Sequence, residues 1–132
     1  MKQVVIILLF TCVLFACKKS ESADYNQLYG HYRGTFNRTG MDTAQASISF
    51  EENGRFDGTG GALNYPSICG GRYQQMGNSL AVDDTCTWTA NFDWTLIFDG
   101  NYNISFTGEN SVRIWRTNGA VTDEYLLNRI TR

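Results

Sequence analysis

The chain is poor in the residues that enzymes use for chemistry. It holds one histidine, His31, and one proline, Pro66, and none of its four cysteines forms a Cys-x-x-Cys pair. A metal centre or dithiol redox pair therefore has too few ligands at a usable spacing. No acid, base and nucleophile are legible around the lone histidine, so no catalytic residue, metal or cofactor is expected. No segment of helical length carries a 3.6-residue period. No apolar run reaches the roughly 20 residues that a membrane-spanning helix requires. Charge is also sparse: the formal net value is -2, and acidic and basic residues are scattered. The aromatics do not alternate with basic residues as a nucleic-acid platform requires, so nucleic acid is not an expected partner.

The N-terminus carries an address. Lys2 supplies a positive start, Val4 to Phe15 a short apolar run, and Leu14-Phe15-Ala16-Cys17 a small residue directly before a cysteine. Residues 1–17 resemble a bacterial lipoprotein signal. The resemblance implies cleavage before Cys17, a lipid on Cys17, and a protein anchored to a membrane of the cell envelope, with Lys18 pointing to the outer membrane. Which side of that membrane the protein faces stays open. The expected organisation is a signal peptide over 1–16, the lipidated cysteine with a polar tether over 17–27, and one domain over 28–132. Lys18 and Lys19 would lie near anionic headgroups, where they either help hold the tether down or are simply solvated.

Export favours oxidation, and Cys69 and Cys86 are the two cysteines that remain once Cys12 and Cys17 are accounted for. A Cys69–Cys86 disulfide is the expected outcome.

From residue 28 onward, period-two alternation dominates. Tyr32, Gly34 and Phe36 share one parity, as do Ala44, Ala46, Ile48 and Phe50, then Phe92, Trp94, Leu96 and Phe98, and finally Tyr102, Ile104 and Phe106. Such runs read as half-buried strands. Asn53-Gly54, Gly77-Asn78, Asp99-Gly100 and Asn118-Gly119 supply tight turns. Strands are expected near 29–38, 43–52, 55–60, 70–76, 79–83, 92–98, 101–107, 111–117 and 121–130. Short connections make an up-and-down antiparallel meander the simplest topology, and a meander of eight or nine strands loses its exposed edges by closing. The expected fold is all-β, a small barrel, with a β-sandwich as the alternative. Two long connections, 61–68 and 84–91, fall at one end, where the disulfide would join them.

Other motifs have plain accounts. Glu51-Glu52 and Asp83-Asp84 lie where strands run into turns, and the glycines over 58–61 open no helix, so they suit a bend better than a phosphate cradle. The densest segment is 83–94, with Trp88 and Trp94 among three aspartates and Cys86. Aromatic faces beside carboxylates suit a sugar or an amphipathic ligand. Against that stands a structural role: Trp94 shares the parity of Phe92 and Leu96 and so belongs inside a barrel, and Trp88 would plug its open end.

Gly30-His31-Tyr32 resembles the Gly-x-Trp start of lipocalins, with Tyr32 in the tryptophan position, and Arg129 corresponds to the arginine that covers that aromatic. The stretch 88–98, followed by Gly100 and Tyr102, is similar to small lipocalin-like lipoproteins of Bacteroidota-type bacteria. The resemblance implies a calycin-type barrel in the cell envelope. The function expected first is non-enzymatic binding of a small apolar or amphipathic ligand, with Tyr32, Phe50, Trp88, Trp94 and Phe106 as the lining. The alternative is a protein-binding lipoprotein, such as an inhibitor of a protease or a lysozyme, acting through its end loops near 65–68 or 84–88. Whether the interior is open or filled separates the two.

Overall fold

The computed structural model describes residues 25–89 and 91–131. The signal segment, Cys17, Lys18 and Lys19 lie outside them. One helical turn, α1 (Tyr25–Leu28), leads into β1 (Gly30–Arg38), β2 (Ala44–Phe50), β3 (Arg55–Thr59), β4 (Gly70–Met76), β5 (Ser79–Asp84), β6 (Gly100–Phe106), β7 (Ser111–Asn118) and β8 (Val121–Thr131). Each strand pairs antiparallel with the next, and β8 returns to β1, closing an eight-stranded up-and-down barrel. The barrel expected from alternation is formed, and closure satisfies the backbone groups that an open meander would expose.

Alternation places the core as expected. Tyr32, Phe36, Ile48, Phe50, Ile104 and Ile114 point inward and are at most 1% exposed. Aromatic rings fill the lumen in edge-to-face pairs, among them Tyr32–Phe50 at 5.8 Å and Phe50–Tyr73 at 4.9 Å between centroids. Small inward residues leave no space of their own. A Cβ on Gly34 would stand 2.0 Å from the carbonyl oxygen of Leu126, so this glycine lets β1 and β8 approach rather than opening a cavity. The glycine-rich run serves the same purpose: a Cβ on Gly60 would meet the carbonyl oxygen of Pro66 at 1.6 Å.

The two ends of the barrel differ. At the N-terminal end, α1 folds under the opening and buries Leu28 completely. Gln27 accepts from Arg129 Nη2 through its backbone carbonyl at 2.7 Å and from Gln75 Nε2 through its side chain at 3.1 Å. The barrel thus begins a few residues inside the segment read as tether, because Leu28 and Gln27 close its floor. Arg129 also donates to the Tyr32 hydroxyl from Nε at 3.0 Å and from Nη2 at 2.5 Å, with its guanidinium carbon 5.2 Å from the ring centre. The Tyr32–Arg129 pairing implied by the resemblance is therefore formed. Trp115 points outward and is covered by Arg113, whose guanidinium carbon lies 4.2 Å from the ring centre.

The opposite end, the mouth, gathers both long connections. Cys69 and Cys86 form the expected disulfide, with Cα atoms 6.3 Å apart. They continue the β4–β5 register in which Gly71 faces Asp84 and Thr85 N donates to the Gly70 carbonyl. Replacing both cysteines by serine should cost about 3 kcal/mol in the chain-entropy account of a loop this size. Urea unfolding with and without reductant checks this: the wild type should lose that stability on reduction, and the double variant should not respond.

One expected strand is absent. Residues 92–98 form a 3₁₀ turn, Trp94–Leu96, and then a single parallel bridge from Ile97 to Ser67. Ser67 N donates to Leu96 O at 3.1 Å, and Phe98 N donates to Ser67 O at 2.8 Å, so the two long connections clasp each other rather than joining the sheet. The turn forms because Asp93 caps it, accepting from Thr95 N at 2.9 Å and from Thr95 Oγ1 at 2.6 Å. These bonds, and the proximity of Arg38, hold the Asp93 carboxyl below its usual range. Trp94, expected in the interior, is 55% exposed. Phe98 enters the lumen and is fully buried, and Leu96 joins the core at 8% exposure.

Tyr102 and Tyr125 share that lumen, and burial pushes both phenols above the usual tyrosine range. A folded-state value raised above the unfolded one leaves stability intact below about pH 10 and removes it as pH rises beyond. Absorbance at 295 nm should therefore rise in two stages, the second coinciding with loss of the barrel's circular dichroism. A single smooth titration would show that water reaches the lumen.

Candidate functional site

The lining expected from sequence divides between the two ends. Tyr32, Phe50 and Phe106 come from strand ends on the closed, N-terminal side. Tyr32 and Phe50 are buried in the packed core, and Phe106 is partly buried against it. Trp88 and Trp94 lie at the mouth. The five residues therefore do not converge on one cavity, because the lumen between the two groups is occupied by Phe98, Tyr102 and Tyr125, with Phe98 5.1 Å and 5.0 Å from the other two rings.

A cleft of about 680 Å³ opens at the mouth instead. Its rim is formed by Thr39 and Met41 from the β1–β2 connection, by Asp93, Trp94, Thr95, Ile97 and Asp99 from the β5–β6 connection, and by Asn118 and Val121 at the facing ends of β7 and β8. Its floor is a charged cluster. Arg38 donates to both oxygens of Asp123, from Nε at 2.5 Å and from Nη2 at 2.8 Å, and to Thr95 Oγ1 and the Thr95 carbonyl, each at 2.8 Å. Arg116 donates from Nε to Asp123 Oδ2 at 3.1 Å, and to the carbonyls of Asp99 at 2.6 Å and Thr95 at 2.7 Å. The side chains of Arg38 and Asp123 are 8% and 6% exposed. Bonding to Asp123 holds the Arg38 guanidinium even more firmly protonated than usual.

The two arginines fasten the β5–β6 connection across the barrel end, and that position follows from strand parity. Arg38 continues the inward set of Tyr32 and Phe36, Arg116 that of Val112 and Ile114, and Asp123 that of Tyr125 and Leu127. Three charged residues at inward parity on neighbouring strand ends are the signal that marks this cluster in the sequence, since buried charge survives only when paired.

Above the clamp, aromatic rings run from the disulfide to the cleft. Trp88 Nε1 donates to Asp84 Oδ1 at 2.8 Å, which ties its ring beside Cys86. Phe92 lies 5.3 Å from Trp88 and 6.1 Å from Trp94, with the Phe92 and Trp94 planes only 16° apart. Trp94 reaches the cleft and Trp88 does not. Asp99 Oδ1 accepts from Asp84 N at 2.9 Å, which joins the cleft wall to the disulfide hairpin.

His31 is remote from all of this. It stands exposed on the outer wall near the closed end, with Nδ1 2.5 Å from Ser49 Oγ. Among the described residues no group of three or more histidine, cysteine, aspartate or glutamate side chains has the geometry of a metal site. Of the loop segments named for insertion into a partner, 65–68 is largely covered, with Pro66, Ser67 and Ile68 buried and Tyr65 half-buried, whereas 84–88 alternates half-buried Asp84, Cys86 and Trp88 with exposed Thr85 and Thr87. Leu63 projects furthest into solvent as an apolar side chain, 95% exposed at φ 57 between the exposed Ala62 and Asn64 of the 61–68 connection. No family model matches the chain, and no curated protein or solved structure is similar enough to stand as its relative.

Proposed function

We propose that the protein is a non-enzymatic, lipid-anchored binding protein of the bacterial cell envelope that takes a small amphipathic ligand in the cleft at its barrel mouth. The observation that carries this is the cleft itself: about 680 Å³, walled by Met41, Trp94, Ile97 and Val121 and floored by paired charges, at an end braced by a disulfide. Mixed apolar walls with a few fixed polar groups are the usual make-up of small-molecule sites. A packed lumen moves binding from the interior, where Tyr32 and Phe50 would have served, to the mouth, where Trp94 serves.

The topology supports a division of labour. The chain enters at the end closed by α1, so a lipid on Cys17 would hold that end toward the membrane and turn the mouth away from it. The tether between Cys17 and Tyr25 is only seven residues long, which keeps the barrel close to the bilayer.

Native mass spectrometry of the protein, made in an oxidising periplasm and incubated with a small-molecule extract of the envelope, tests this. A one-to-one adduct that is lost in Trp94→Arg, which fills the cleft, is expected. A protein that binds nothing, or an adduct that survives the substitution, overturns the proposal. A protein-binding role retains one supporting observation, the projecting Leu63. A partner captured by the wild type and lost in Leu63→Asp would establish that role in its place.

A further inference from the structure

The chemistry of the cleft narrows the ligand further. Its cations are already committed: Arg38 and Arg116 spend their donors on Asp123, on Asp93 and Thr95, and on backbone carbonyls of the β5–β6 connection. An anionic ligand would have to break that clamp. An aliphatic chain fits no better, since it would strip water from Asp99 and Asn118 without replacing their hydrogen bonds. The groups left with hydrogen-bonding capacity, Asp99, Asn118 and Thr39 beside the Trp94 ring, suit a neutral molecule with a flat C–H face and a rim of hydroxyls.

We infer that the mouth cleft is a saccharide site, with Trp94 as the stacking surface and Asn118 and Asp99 as the hydroxyl-binding groups. This rests on the mouth-cleft function proposed above and names its ligand class. Trp94 is large, exposed and held in place. Its carbonyl accepts from Ile97 N at 3.2 Å, the preceding Asp93 caps its turn, and Phe92 lies nearly parallel beside it. An aromatic surface that is already fixed loses little freedom when a sugar face settles on it. Around it the polar groups have capacity to spare. Asp99 uses Oδ1 on Asp84 N, which leaves Oδ2 to accept from a hydroxyl. The Asn118 carboxamide, exposed on the rim, has no partner among the described residues and can donate and accept at once. Thr39 accepts from Thr122 N at 3.0 Å through Oγ1 and keeps its own proton to donate. The volume accommodates a short oligosaccharide, and the open rim lets a longer chain run past the mouth.

The test is titration of the detergent-solubilised mature protein, disulfide intact, with neutral hexasaccharides of glucose in α and β linkage, of mannose, of xylose and of N-acetylglucosamine. Tryptophan fluorescence and calorimetry give the readout. At least one sugar should bind saturably at or below millimolar concentration. Trp94→Ala should weaken it tenfold or more, Asn118→Ala several-fold, and Trp94→Phe should restore most of the lost affinity. Trp94 is half exposed, so its substitution should leave the urea midpoint unchanged. Binding by none of the five sugars, or binding indifferent to Trp94→Ala, overturns the assignment. If a lipid or pigment is instead retained in the native spectra and displaced by Trp94→Arg, the saccharide class falls and the mouth-cleft function stands. If neither occurs, both fall.

Discussion

Changing Asp123 to asparagine is expected to cost about 3–5 kcal/mol, the range for removing one partner of a buried charge pair. Asp123 is the single anion on which two arginines converge, and its side chain is only 6% exposed. Asparagine keeps the shape but offers one acceptor where two were used, and its amide hydrogens would face the Arg38 guanidinium. That cation, 8% exposed, would then keep only the longer contact to the exposed Asp93 carboxylate at 3.3 Å. The urea midpoint should fall by roughly 2 M on an ordinary dependence for a domain of this size. Fluorescence of Trp94 should shift at lower urea than the barrel's circular dichroism, because the clamp holds the β5–β6 connection before it holds the strands. Replacing both partners, as Arg38→Met with Asp123→Leu, should recover much of the loss, since an apolar pair of similar volume carries no uncompensated charge. A loss below about 1 kcal/mol in Asp123→Asn would mean that water screens the pair as it does at a surface.

Truncating Phe98 to alanine should be as costly, about 3–5 kcal/mol, by a different route. Phe98 is fully buried and packs against Phe56, Tyr102 and Tyr125 at 5.5, 5.1 and 5.0 Å between ring centres. The ring enters from a connection rather than from a strand. Its removal leaves a void whose other walls belong to a closed, hydrogen-bonded sheet that collapses poorly, which places the cost toward the upper part of the range. The void would lie directly beneath the mouth cleft. The variant should therefore gain affinity for a small apolar probe such as an anilinonaphthalene dye, where the wild type binds little. Loss of stability without dye binding would show that Tyr102 and Tyr125 move into the vacated space.

Much of this architecture was legible in one dimension. Alternation, with the turns that bound it, marked eight strands to within one or two residues, at 29–38, 43–52, 55–60, 70–76, 79–83, 101–107, 111–117 and 121–130. It did so because a barrel wall has one buried face and one wet face, and a register slip of one residue would exchange them. Turn glycines marked the hairpins for a similarly local reason: Gly54, Gly77 and Gly119 adopt φ of 79, 58 and 61, which side chains disfavour. The cysteine count, read with the expectation of export, anticipated the Cys69–Cys86 bridge.

The segment 92–98 shows where local pattern stops being sufficient. Phe92, Trp94, Leu96 and Phe98 alternate as faithfully as any strand, yet Asp93 caps a 3₁₀ turn there and Ser67 clasps Ile97 and Phe98. The cap lies within the segment, but the Ser67 clasp comes from some thirty positions away, and no window of alternation contains it. The candidate site shared that fate. Aromatics at inward parity identified a packed interior correctly, but whether such an interior is filled or hollow depends on how side chains from distant strands meet.

Strand order, hairpin rhythm and the disulfide thus reside in the chain's own local grammar, since each depends on neighbours in sequence or on a pair with no competitors. The filled lumen, the outward turn of Trp94 and the Arg38–Asp123–Arg116 clamp arise only when the ends of β1, β7 and β8 are brought together by closure. Closure is a global property: it unites Arg38 with Asp123 across 85 residues of chain, and it leaves the cleft at the mouth rather than inside.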